Sequence, residues 1–98
     1  MITEHALLPV LPGRHDEFIE AMDRAKSIIA ASPGFISLRV ARGVERPDTF
    51  LLLVEWESVE AHTEGFRGSD AYEDWRALLH HFYEPMPLVE HFETVATA

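Results

Sequence analysis

One run constrains this chain more than any other: Phe50–Leu51–Leu52–Leu53–Val54–Glu55–Trp56 is apolar at every position but one. A strand with one wet face alternates polar and apolar residues, whereas a strand buried on both faces does not. The run therefore predicts a strand whose two sides both need cover. A chain of 98 residues makes one small domain, 1–98, with helices enough to cover one side of a sheet. A domain of this size buries only roughly 60–65% of the surface of its unfolded chain, so association adds useful core. A second copy of the chain is the expected cover for the other side.

Around that strand, hydrophobic periodicity predicts six elements. Ile2–Val10 alternates as strand one, with Ile2, Glu4, Ala6, Leu8 and Val10 on one face and Thr3, His5, Leu7 and Pro9 on the other. After the Pro12–Gly13 turn, Phe18, Met22, Ala25 and Ile29 form the apolar stripe of a helix over Arg14–Ala31, which Ser32–Pro33–Gly34 stops. Phe35–Arg42 and Thr49–Glu57 are strands two and three. Ser58 caps a short helix to about Phe66, and Ser69 is the expected N-cap of a second helix reaching about Tyr83. Strand four is Leu88–Val95. The order β-α-β-β-α-β, with right-handed crossovers, gives an α+β ferredoxin-like sheet with helices on one face and strands one and three central.

Composition excludes several function classes. The net charge is −9 with a single lysine, so no basic run exists to hold nucleic acid. No stretch has the roughly 18 continuous apolar residues of a membrane span, and the first residues lack the pattern of a secretory signal. There is no cysteine, hence no disulfide or thiolate site, which fits the cytoplasm. Six histidines include no HxxxH or HxH spacing, and no strand–GxGxxG–helix unit is present. Neither a metal nor another cofactor is expected.

The Pro12–Gly13 turn before Phe18, Pro33–Gly34–Phe35, Glu55–Trp56–Glu57–Ser58–Val59–Glu60–Ala61–His62, Ser69–Asp70 and Leu88–Val89–Glu90–His91–Phe92 together resemble the antibiotic biosynthesis monooxygenase domain family, of the dimeric α+β barrel group. The resemblance implies a homodimer whose two sheets meet as a barrel, with a pocket between each sheet and its own helices. It implies cofactor-independent oxidation by dioxygen of a small electron-rich aromatic or polyketide-type substrate. The alternative is a non-catalytic small-molecule-binding or structural dimer. Haem binding or degradation is a third reading: the positions where haem-degrading relatives carry Asn, Trp and an axial His fall on His5, near Gly65 or Phe66, and near Trp75 or Arg76.

Deprotonating a phenol in a dry pocket needs a base, an oxyanion partner and aromatic walls. His5, on the strand-one face shared with Leu7, is the expected base. Arg39 is the expected oxyanion partner and Trp75 the third catalytic candidate. Trp56, His62, Tyr72, His81 and Phe82 are the expected substrate-binding residues, with His62 on a half-exposed helical position. His91 is expected at the dimer seam.

Overall fold

The computed structural model describes residues 1–98 and places the apolar run in β3, Thr49–Trp56. β1, Ile2–Pro9, pairs with β3 on one side and with β4, Val89–Glu93, on the other; β2, Phe35–Arg42, borders β3. All pairings are antiparallel and the sheet order is β2-β3-β1-β4. The ferredoxin-like arrangement with strands one and three central is thus what the chain adopts.

Helix α1, His15–Ala30, buries Phe18, Ala21, Met22, Ala25 and Ile29, the stripe set by the 3.6-residue period. Helix α2, Asp70–Leu79, buries Trp75 and Leu79 and continues into a 3-10 turn at His80–Phe82. Ser69 occupies the N-cap position of α2, but its hydroxyl donates back to the Phe66 carbonyl at 2.6 Å instead of capping the helix. Ser58 does cap: its Oγ accepts the Ala61 N–H at 3.1 Å and opens a short π-helical segment, Ala61–Phe66.

Both helices lie on the sheet face formed by Ala6, Leu8 and Val10 of β1 and Phe50, Leu52, Val54 and Trp56 of β3. Each large side chain fully buried there contributes roughly 1.5–3 kcal/mol. The opposite face is uncovered within one chain. Leu7 and Phe92 are about half exposed there (45% and 50%), next to Leu51, Leu53 and His5. Because side chains alternate strictly along a strand, Thr3, His5 and Leu7 point away from the helices that cover Glu4, Ala6 and Leu8. His5 therefore packs edge-on against Phe92, ring centroids 5.4 Å apart, on the helix-free side. Arg39, paired in register with Leu53, is exposed on that side too. No helix of the chain is long and apolar enough to cross a membrane.

Candidate functional site

Burial of charge marks the site. Among the residues sealed from water, only Glu4 and His62 are polar or charged, at 5% and 3% exposure. A carboxylate in a core is costly unless something satisfies it. Here Trp56 Nε1–H donates to Glu4 Oε1 at 2.9 Å, and His62 Nε2 lies 3.3 Å from the same oxygen. The second carboxylate oxygen, Oε2, has no partner in the chain and is not sealed off. Behind His62, its Nδ1 and His91 Nε2 share a hydrogen bond at 2.8 Å.

Local structure puts these groups together. Glu4 stands on the helix-covered face because it alternates with Ala6 and Leu8, and the β1–β4 register sets it opposite His91. Trp56, two-period partner of Val54, lands on the same face at the end of β3. His62 is turned inward by the π-helical segment, whose i to i+5 bond runs from the Arg67 N–H to the His62 carbonyl at 3.0 Å. Such wide turns recur at functional sites because they re-aim one side chain without ending the helix. The imidazole then stacks on the Trp56 indole, centroids 5.4 Å apart and planes 18° from parallel. Gly34 at the start of β2 has φ +87, and a Cβ there would lie 2.6 Å from the Ala61 Cβ, so β2 packs directly against this turn.

Glu4 and His62 form the floor of a cavity of about 160 Å³ between the sheet and α2. Phe66, Tyr72, Trp75 and Tyr83 supply aromatic walls, Leu52 and Val89 aliphatic ones, and Arg67 and His80 add polar groups. A larger groove of about 320 Å³ lies between α1 and β2, but Arg42 is its only titratable residue. The chemistry belongs to the smaller cavity.

The electrostatics follow from burial. Desolvation raises the Glu4 carboxyl above its usual range, against the smaller opposing effects of the Trp56 N–H and the Arg67 charge. Desolvation, the Arg67 charge and His91 lower the His62 pKa to about 3. An ionised Glu4 at 3.3 Å favours the imidazolium, but burial outweighs it, and His62 rests neutral. His91 and His80 are lowered as well, by burial first and then by Arg67 and Arg76 respectively. Burial also keeps the Tyr83 phenol protonated.

The cavity gathers Trp75, Tyr72 and His62 from the residues expected by sequence. His62 is fully buried rather than half exposed, because the π turn rotates it under β4. Trp56 stands one layer behind the cavity as the Glu4 donor. Phe82 is in the core against Phe18, centroids 6.0 Å apart, and His81 is exposed; successive residues of the 3-10 turn diverge by about 120°, so His80 lines the cavity in its place. His5 and Arg39 lie across the sheet from it. Glu4 and Arg67 were not singled out by sequence; a lone acid on the apolar face of β1 was the available signal for the first. No three His, Asp or Glu side chains converge as metal ligands.

The family model described as antibiotic biosynthesis monooxygenase matches residues 1–78. The uncharacterised protein YczJ of Bacillus subtilis (strain 168) is 47% identical over 95 residues, which are 97% of this chain and 100% of its own length. The crystal structure of a candidate antibiotic biosynthesis monooxygenase from Bordetella bronchiseptica superposes with a TM-score of 0.93 at 30% identity, covering 97% of each chain. A variant of SnoaB, a cofactor-independent oxygenase from Streptomyces nogalater, superposes with a TM-score of 0.81 at 14% identity, covering 98% of this chain and 94% of that one. At that identity the likeness concerns the fold.

Proposed function

The chain belongs to the antibiotic biosynthesis monooxygenase family, and from that premise we propose that it oxidises a single-ring phenol or dihydroxybenzene with dioxygen, without flavin or metal, in the cavity above Glu4. One observation carries this reading: a buried carboxylate with raised proton affinity, held by the Trp56 N–H and lying 3.3 Å from the His62 imidazole, sits in the floor of an aromatic cavity. A general base works best when its pKa approaches the working pH, and burial moves Glu4 in that direction. The volume of about 160 Å³ sets the size of the substrate. An apolar cavity of about 150 Å³ takes a benzene ring, whereas sites for larger ligands start near 300 Å³.

In the proposed reaction Glu4 Oε2 takes the phenol hydroxyl proton, and Arg67, which also lines the cavity, faces the resulting oxyanion. The electron-rich ring then reduces dioxygen. One oxygen atom bonds to a ring carbon, that carbon gives up its hydrogen, and the second oxygen leaves as water. Phenol and dioxygen thus give quinone and one water, with four electrons passing from ring to oxygen. Trp75, Tyr72 and Phe66 hold the ring and exclude water.

Dimerisation belongs to the same proposal. The uncovered sheet face carries the apolar side chains Leu7, Leu51, Leu53 and Phe92, of which Leu7 and Phe92 are exposed, and a second copy laid on it closes the barrel. The cysteine-free composition fits a cytoplasmic dimer.

Oxygen uptake with phenol, catechol and hydroquinone tests the reading against protein-free controls. Glu4→Gln is expected to lower turnover by roughly 10²–10⁴-fold, the usual contribution of a general base. Turnover lost in His5→Ala but retained in Glu4→Gln would move the chemistry to the other sheet face and refute the assignment. Saturable phenol binding with no oxygen uptake would leave a binding protein, not an oxygenase.

A further inference from the structure

We propose that His91 is a positioning residue of this site: its Nε2–H fixes the His62 tautomer, which in turn presents an Nε2–H to Glu4 Oε1 and leaves Oε2 as the oxygen facing the cavity. The inference rests on the role just given to Glu4, and His91 itself lines no part of the cavity.

The assignment follows from counting lone pairs. Glu4 Oε1 already accepts the Trp56 N–H at 2.9 Å, so it is an acceptor in this cluster. Against an ionised Glu4, a bare His62 Nε2 at 3.3 Å would set lone pair against lone pair, so the proton sits on that nitrogen. His62 is neutral, so its Nδ1 is bare. The hydrogen bond at 2.8 Å between His62 Nδ1 and His91 Nε2 then has only one possible donor, His91. The remaining His91 nitrogen, Nδ1, makes no bond within the chain and is not sealed from solvent.

Polarity thus runs in one direction from the surface inward: His91 donates to His62, and His62 presents its N–H to Glu4. The cluster is built by chain segments far apart in sequence, β1, the π-helical segment and β4. Charged and titratable groups around it are Arg67 beyond the π-helical segment, Tyr83 and His80 across the cavity, and Glu93 on the same face of β4. None of these meets the free nitrogen of His62; only His91 does. Without that donor only Glu4 still favours the Nε2–H form, Nδ1 is left without a partner, and the Nδ1–H tautomer, whose bare Nε2 faces the carboxylate, gains population. Losing a donor to the ionised form disfavours that form, so Glu4 holds its proton more tightly.

The test compares His91→Gln, whose side-chain N–H₂ reaches about as far as imidazole Nε2 and can donate, with His91→Leu, which cannot. In ligand-free protein, ¹⁵N spectra of the imidazoles report the tautomers and ¹³C spectra of the Glu4 carboxyl report its titration. The expected result is an Nε2-protonated His62 in the native protein and in His91→Gln. In His91→Leu the Nδ1–H tautomer gains population and the Glu4 midpoint rises by one pH unit or more, a tenfold tighter proton. An Nδ1-protonated His62 in the native protein overturns the proposal. So does a Glu4 midpoint that stays put in His91→Leu, or that moves equally in both variants. Neither readout requires turnover, so absence of oxygen uptake with the expected spectra would defeat the proposed reaction and leave the positioning role standing.

Discussion

Acid should loosen this protein through His62 before it protonates most of its surface. The imidazole has an ordinary pKa of 6.5 when the chain is unfolded and about 3 in the fold, where burial, Arg67 and His91 oppose its charge. A lowered histidine means that the unfolded state binds more protons between those two values, so stability falls as pH falls through that window and is fully present above it. Each pH unit inside the window is worth about 1.4 kcal/mol. Lowering the pH from 7 to 5 crosses some one and a half units of it, giving a loss of about 2 kcal/mol from this one group. His62 is sealed but shallow, lying under the edge strand β4, so that figure is an upper value. For a domain of this length it corresponds to a fall in Tm of roughly 8–15 °C. His80 and His91 act in the same direction and Glu4 in the opposite one, so the assay must isolate His62. Urea denaturation of native protein and His62→Gln at pH 7 and pH 5, at one protein concentration, does so by difference. The variant is expected to lose about 2 kcal/mol less between the two pH values than the native protein. Equal losses would mean that Glu4 holds His62 as an imidazolium in the fold, and the reasoning from burial would fail.

Three further outcomes follow from the same geometry. Glu4→Gln keeps an acceptor for the Trp56 N–H and removes a buried acid whose pKa is raised; since a raised acid costs stability as pH climbs above 4.5, this variant should be at least as stable as the native protein at pH 8 in urea denaturation while losing turnover. Gly34→Ala forces a Cβ to within 2.6 Å of the Ala61 Cβ at φ +87, and should cost on the order of 2–4 kcal/mol in denaturant, sitting as it does under the turn that aims His62. Leu53→Glu, on the uncovered sheet face, should convert a dimer to monomer in sedimentation velocity; native protein that sediments as a monomer at micromolar concentration would refute the barrel.

The sequence alone determined the layers of this protein. The doubly apolar Phe50–Trp56 run, the alternation of Ile2–Val10 and the Phe18–Met22–Ala25–Ile29 stripe are local periodicities, which fix element type and which residues share a face, and the order of the elements with right-handed crossovers then fixes strand order. It even placed Glu4 with Ala6 and Leu8, and His5 with Leu7. It could not say which of those two faces the helices cover, because alternation is symmetric under exchange of sides; docking of α1 and α2 broke that symmetry, put His5 and Arg39 outside and made Glu4 the buried acid. The rest of the site depended on rotations and distances that no spacing encodes. A π-helical turn swung His62 inward, one 3-10 step of about 120° chose His80 over His81, and the β1–β4 register brought His91 to within 2.8 Å of a ring 29 residues earlier. Hydrogen bonds between segments so far apart in the chain exist only once the sheet has closed, and for that reason only the tertiary structure could decide them.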